Sequence, residues 1–380
     1  MGKDKITVVQ MLPELNSGGV ERGTLELGAF LAEKGHRSIV ISGGGRLVEQ
    51  LEKEGSQHVN WQVGKKSLST FKYILPLRRL LLEEKVDILH LRSRVPAWVG
   101  YLAWKSIPKD KRPKLVTTFH GFYSVNWFSA IMARGEKVIA ISRTIADHIK
   151  LNYDISEERI EIIFRGVDSA VFSPETVNED RTKELKEKWA VAKDSSPIIL
   201  LPGRITPLKG HDVFINALSM ISDQQWTAII LGDPAENPRH TAVLEKLIEE
   251  KGLSGRVKFV GHCHDMPSAY WLTDIVVSAT STKPEAFGRV AIEAAAMARP
   301  VIASAHGGSL ETVLPGETGW LVKPGDKDEL AQALRTALAD RDLCQKLGIN
   351  ARTMVENNFS KNRMCEGTFA LYRTLLARGD

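Results

Sequence analysis

Two carboxylates and two cations in the C-terminal half have the types and spacing that a sugar diphosphate would need. Glu285 sits in a loop after an apolar run, and Glu293 follows within an Ala-rich stretch that reads as a helix opening near Gly288. With that start, Glu293 lies ~7 to 8 Å along the helix axis at 1.5 Å per residue. The backbone N–H groups from Gly288 to Val290, next to Phe287, lie in the first turn, where no intrahelical acceptor is available, and favour a diphosphate. One carboxylate could then hold sugar hydroxyls on one side of the diphosphate while the other holds a ribose. Gly203 and Arg204 follow the run PIILL, and Arg204 together with Lys209, before the next helix, supplies the cations. Arginine offers a planar fork for phosphate oxygens, and lysine a point charge.

Further candidates come from both halves. Gly18 and Gly19 follow the first apolar run and permit close approach of backbone to phosphate. Their spacing is not G-x-G-x-x-G, so a dinucleotide cofactor is poorly supported. Glu21, beside them, suits a tight turn and helix cap. His120 ends the run KLVTTF next to Gly121, at the strand end where open sheets bind ligands. His306-Gly307-Gly308 follow RPVIAS, where main-chain N–H groups could reach a sugar or form a plain turn. His262, Cys263 and His264 suggest metal ligands, but no further set with suitable spacing follows, so no metal is expected.

The elements that would position these groups follow a repeated grammar. ITVVQML precedes an amphipathic segment with Val20, Leu27, Phe30 and Leu31 at near-helical spacing, which ends at Gly35. Short apolar runs recur at SIVIS, VDILHL, KLVTTF, EKVIAIS and RIEIIF, separated by helical stretches. From Pro197 the alternation restarts with PIILL, WTAIIL, RVKFV, DIVVS, RPVIAS and TGWLV. Apolar strands alternating with helices predict parallel sheets covered on both faces, here an α/β chain of two Rossmann-like, doubly wound domains. Residues 173–196 open as a linker and include a solvated helix at RTKELKEKW. The expected domains are 1–170 and 171–360, with a last helix within 361–380 returning to the first. Tandem domains of this kind predict a central cleft for ligand.

At 380 residues the chain exceeds the size at which one core usually stops growing. Its 43% hydrophobic and 26% charged content is that of an ordinary globular protein. Three scattered cysteines argue against a disulfide framework and for a reducing compartment. The N-terminal apolar run is short and ends at Pro13, so it reads as a strand rather than a secretory signal. No stretch reaches the roughly eighteen apolar residues of a membrane span. The net charge of +5 is too mild to imply nucleic acid and suits an anionic small substrate or an acidic membrane surface. Basic residues interleaved with aromatics over 92–128, among them Arg92, Arg94, Trp98, Trp104 and Arg112, suit a peripheral contact with anionic lipid or a lipid-linked acceptor. Core aromatics beside a solvated loop would have the same pattern.

The segment KPEAFGRVAIEAAAMARPVIAS resembles the E-x7-E motif of the large retaining glycosyltransferase family with the GT-B fold, which includes many lipopolysaccharide and lipid hexosyltransferases. GRITPLKG resembles the same family's G-R-x(4)-K-G element, and NSGGVERG its GG-[AV]-E loop, so the resemblance covers the whole chain. It implies a nucleoside diphosphate sugar, GDP-mannose or a UDP-hexose, as donor, with no cofactor. A glycan or lipid-linked hydroxyl would be the acceptor, in envelope glycan synthesis. Glu285 would bind donor hexose hydroxyls, Glu293 the ribose, and Arg204 and Lys209 the diphosphate. Gly307 and Gly308 would approach the sugar, His120 the hexose near its 6-hydroxyl, and Glu21 the acceptor. Family members usually need no metal, and no Asp-x-Asp element that would bind one is apparent. Arg165 departs from the family in RGVD, where many relatives carry Asn, which leaves one local contact open. The resemblance implies a cytoplasmic protein, free or peripheral on the inner face of the cytoplasmic membrane. An epimerase or phosphorylase on the same fold is the alternative activity.

Overall fold

The computed structural model describes residues 5–16, 18–191 and 196–377. The chain divides into two compact units, Met1–Arg165 with Lys361–Asp380, and Gly166–Ser360.

Among the described residues the first unit holds seven strands: β1 (Thr7–Met11), β2 (Arg37–Ser42), β3 (Gln57–Asn60), β4 (Ile88–Leu91), β5 (Lys114–Phe119), β6 (Lys137–Ala140) and β7 (Ile160–Ile162). They form one parallel sheet in the order β3-β2-β1-β4-β5-β6-β7. Every residue of β4 is buried, as expected for a central strand covered on both faces. Sequence patterning misses only β3, whose QHVN is polar and partly exposed at the sheet edge. An edge strand needs no apolar run, because only part of it is covered.

Helix Lys361–Ala377 belongs to this first unit. Its Met364, Cys365, Leu371, Tyr372 and Leu375 pack into a core with Ile6, Val8, Leu27, Leu31, Ile88 and Val116. Burial of each large apolar side chain is worth about 1.5–3 kcal/mol, enough to hold the segment on the sheet. The buried Tyr372 hydroxyl is hydrogen-bonded to His90 Nδ1 at 2.6 Å, which offsets its desolvation.

Among the described residues the second unit holds six strands: β8 (Ile198–Pro202), β9 (Thr227–Leu231), β10 (Val257–Phe259), β11 (Ile275–Ser278), β12 (Val301–Ser304) and β13 (Gly319–Val322). Their order is β10-β9-β8-β11-β12-β13, again all parallel. The strand order reverses between β1 and β4 in the first sheet and between β8 and β11 in the second. Loops leaving the carboxyl ends of such neighbours diverge and open a crevice.

The unit boundary at Arg165–Gly166 precedes the change in composition after residue 173. The charged helix Glu179–Lys188 is part of the second unit: Asn178 caps it by accepting from the Arg181 N–H, and Leu185 is buried. Arg181 also grips Asp265 with two hydrogen bonds, of 2.8 and 2.6 Å.

Candidate active site

In the second unit, the loops after β8 and β11 meet at the switch point. The Ser281 N–H donates to the Leu208 carbonyl at 3.2 Å. Gly210 lies in the left-handed region (φ 66°), and a Cβ there would collide with the Ala279 carbonyl oxygen. Only glycine allows this approach, which aims the preceding Lys209 at the second loop. The stem of Lys209 crosses Gly203, where an added Cβ would lie 3.4 Å from Lys209 Cε. Its Nζ forms an ion pair with Glu285 Oε1.

Glu285 Oε1 also accepts from Thr280 Oγ1 at 3.1 Å. Burial pushes the Glu285 carboxyl up, but the Lys209 cation and the two hydrogen bonds outweigh it and hold the group below its usual value. Thr280 went unnoticed in the sequence, although its place just past the apolar run DIVVSA marks a strand end. The Glu285 backbone pairs with Gly307 in a parallel bridge, and its carbonyl accepts from the Gly308 N–H at 2.7 Å. A Cβ on Gly307 would strike the Glu285 carbonyl, and one on Gly308 the Phe287 backbone. The two glycines thus serve close packing of the two loops. Burial lowers the His306 pKa, opposed by its hydrogen bond to the Thr280 backbone and by the Glu285 charge.

Gly288 is the N-cap of helix Arg289–Ala296, with φ 86°. This places Val290 in the first turn and Glu293 one turn beyond Arg289. Glu293 is held by protein groups: Oε1 accepts from Arg289 Nε and Nη2 at 3.1 and 3.0 Å, and Oε2 from the Tyr270 hydroxyl at 3.1 Å. Neither Arg289 nor Tyr270 was singled out in the sequence. Arg289 carries a readable signal, the i, i+4 spacing to Glu293. Arg204, in the loop after β8, is exposed.

In the first unit, Gly18 caps helix Gly19–Glu33 with φ 125°, and a Cβ there would lie 2.8 Å from Glu21 Oε2. The Glu21 carboxylate therefore folds back over the helix start. Burial raises its pKa, opposed by its own backbone N–H and by Arg165 and Arg92. Arg165 Nη2 lies 2.7 Å from His120 Nδ1. Arginine can only donate, so Nδ1 accepts and the ring carries its proton on Nε2, which is buried without a hydrogen-bond partner among the described residues. Burial, then Arg165, Arg92 and His90, holds the His120 pKa well below its usual value. Arg165, which departs from the family pattern, thus sets the state of His120.

Arg92 and the aromatics of 92–128 are largely committed to packing. Arg92 is buried and donates to Gln10 Oε1 at 2.7 Å. The Trp98 indole donates to the Phe128 carbonyl at 3.0 Å, and Trp104 to the Pro113 carbonyl at 2.7 Å. Trp127 remains exposed. Two Asp-x-Asp triplets occur, 326–328 and 340–342, and each begins at a helix N-cap: Asp326 accepts from the N–H groups of Asp328 and Glu329, and Asp340 from that of Leu343. Among the described residues, no group of three or more His, Cys, Asp or Glu is placed to hold a metal ion.

The pattern of the family described as Glycosyl transferases group 1 matches residues 182–354, and that of Glycosyltransferase Family 4 matches 17–171. Over 98% of its length the chain is 36% identical to a glycosyltransferase from Rickettsia africae ESF-5, covering 99% of that chain with a TM-score of 0.91. It is 30% identical over 220 residues, 57% of this chain and 60% of the relative, to a lipopolysaccharide core biosynthesis mannosyltransferase of Rhizobium leguminosarum bv. viciae. An Anabaena protein in complex with UDP and glucose has the same fold, with a TM-score of 0.83 at 23% identity over 97% of this chain and 100% of that one. The chain spans 56 to 60% of the length of three curated relatives, two of them D-inositol 3-phosphate glycosyltransferases. Two Rossmann-like sheets, glycine-shaped loops at both switch points and these likenesses together place the chain in the glycosyltransferase family, with the GT-B fold.

Proposed function

We infer that the chain transfers a hexose from a nucleoside diphosphate sugar to a hydroxyl of a glycan or lipid-linked acceptor, retaining the anomeric configuration and using no metal. The Lys209–Glu285 pair carries this reading, because it sets a phosphate-binding cation against a hydroxyl-binding carboxylate at the switch point of the second sheet. The anomeric carbon–oxygen bond to the diphosphate breaks, and a bond to the acceptor oxygen forms on the same face. Negative charge grows on the departing phosphate oxygen, which Lys209 and Arg204 stabilise, and that oxygen takes the acceptor's proton. Glu285, steadied by Thr280, receives hexose hydroxyls, while Glu293, held by Arg289 and Tyr270, receives the ribose. The neutral His120 offers its Nε2–H to a sugar hydroxyl, and Glu21 is assigned to the acceptor.

The Rhizobium mannosyltransferase supports a role in lipopolysaccharide or envelope glycan synthesis, which we assign to the cytoplasm, and the UDP complex of the Anabaena protein supports a nucleotide donor. GDP-mannose and UDP-hexoses are therefore the donors to test. Incubation with a panel of UDP-, GDP- and ADP-sugars should give slow hydrolysis of one donor, faster with a suitable acceptor. Proton NMR of the fresh product should then show the donor's anomeric configuration. An inverted product, or no turnover of any donor, would overturn the reading.

A further inference from the structure

At the amino-terminal edge of the second sheet, opposite the loops that carry Lys209 and Thr280, lies a cavity of about 470 Å³. It is lined by Pro197, Ile275 and Pro300, at or just before the starts of β8, β11 and β12. The length of β11, at ~3.3 Å per residue, sets it roughly 13 Å from the switch point. Its volume falls within the range of small-molecule sites, about 300–1,000 Å³. Helix Arg341–Asn358 forms one wall, where Arg341, Gln345 and Ile349 share a face at offsets of four residues. The helix is pinned to the turn before β12 at Gly348, where an added Cβ would strike the Ala298 carbonyl. That turn delivers Arg299 to the same cavity.

The Arg299 guanidinium lies 4.3 Å from the Trp271 ring and donates from Nη2 to the Trp271 carbonyl at 2.8 Å. Its Nε is buried and finds no hydrogen-bond partner among the described residues. An unpaired buried donor costs about 1–3 kcal/mol, which an anion in the cavity would offset. Asp274 also lines the cavity but is committed to the fold. Its Oδ2 accepts from the Ile198 N–H at 2.8 Å, and its own N–H donates to the Ile198 carbonyl at 2.9 Å. Neither Arg299 nor Arg341 forms an ion pair among the described residues. Two cations thus share the cavity with one carboxylate, and positive charge remains. Trp271, Leu338 and Ile349 supply apolar walls. A second copy is a poor cover, because an isologous contact would set the concavity and its cations against themselves.

We propose that this cavity is a second ligand site, for a small anion carried on an aromatic body: an aryl carboxylate, sulfonate or phosphate. The anion lies between Arg299 and Arg341, where the Arg299 Nε gains an acceptor and charge-assisted hydrogen bonds replace water. The aromatic body packs beside Trp271 and against Leu338 and Ile349. The cavity and the switch point stand at opposite ends of β11, so both can be filled at once. Binding here is measured without turnover and stands or falls apart from the transferase reading.

The test is a fluorescence titration of the full chain with anilinonaphthalene sulfonate, with saturating UDP present throughout to fill a nucleotide cleft. Saturable binding is expected. Arg299→Met and Arg341→Gln should each weaken it about tenfold, the loss of one charge-assisted hydrogen bond. Ile349→Trp, which fills the cavity from its rim, should abolish it. Lys246→Gln, on an exposed helix pair elsewhere, should leave it unchanged. The uncharged phenylnaphthylamine should bind about tenfold more weakly than the sulfonate. Arg341 is exposed at the first position of its helix, so its variant keeps the test open if Arg299→Met fails to fold. No saturable binding, affinity unchanged in Arg341→Gln and Ile349→Trp, or equal affinity for the uncharged probe would overturn the proposal. Concentration-dependent dimerisation that Ile349→Trp abolishes would assign the cavity to a second copy and overturn it equally.

Discussion

Lys209 Nζ pairs with Glu285 Oε1 across two loops 76 residues apart in the chain. A cation suited to phosphate and a carboxylate suited to hydroxyls are thus held in contact before any donor arrives. Both side chains are about a quarter exposed, at 24% and 22%, and solvent screening limits the pair's share of stability to about 1 kcal/mol. Its main consequence is preorganisation: each partner fixes the position from which the other meets a diphosphate sugar.

Lys209→Met and Glu285→Gln should therefore each lower kcat by about a hundredfold or more, in the range seen when one fixed transition-state donor is removed. The melting temperature should move by no more than about 2–4 °C. Steady-state kinetics beside thermal melts of each variant check this, and full activity in either would remove the pair from the reaction.

His211 opens helix His211–Ser219, is fully buried, and has its pKa lowered by that burial to about 4. The unfolded chain takes up a proton below about pH 6.5, while the folded chain resists until about pH 4. Stability from this residue is complete above pH 6.5 and declines as pH falls to 4, by about 3 kcal/mol in total. Urea midpoints of the wild type should drop over that window, with a shallower drop in His211→Gln. Parallel slopes would show that another group governs the loss.

The carboxyl of Glu285 is held below its usual value, so its contribution has a lower window. That stability is present above about pH 4.5 and is lost as pH falls through the depressed folded value. The difference in urea midpoint between the wild type and Glu285→Gln should be constant from pH 7 to 5 and shrink in more acid solution.

Gly210→Ala should damage both fold and site, because the new methyl meets the Ala279 carbonyl and the residue must hold a positive φ. A loss of about 1–3 kcal/mol is expected from the strained backbone alone. Turnover should fall further than stability, as Lys209 is displaced from Glu285. A Gly252→Ala control, also at positive φ but with no described residue within 4 Å of its added Cβ, should lose stability without losing turnover.

His120 should stay neutral across ordinary assay conditions, since burial and the Arg165 guanidinium both oppose its protonation. Imidazole NMR signals of His120 should show the proton on Nε2 throughout the ordinary assay range. In Arg165→Gln its titration should rise toward the usual histidine value near 6.5. Titration near 6.5 in the wild type would contradict the hydrogen bond from Arg165.

Local composition by itself determined the two parallel-sheet domains, because buried parallel strands must be apolar along their length and PIILL or KLVTTF can be little else. It also carried the glycine-rich turns, the two acidic positions and the Arg204–Lys209 loop, whose residue types are written within a few positions of one another. Tertiary structure alone decided that Lys209 meets Glu285, that Thr280 and His306 flank that carboxylate, and that Arg289 and Tyr270 hold Glu293. The tautomer of His120 likewise follows from Arg165, 45 residues away. The polar edge strand β3 escaped for a related reason. Patterning records which residues are apolar, but only the packed chain shows which of them are covered, and which charges are brought within a hydrogen bond of each other.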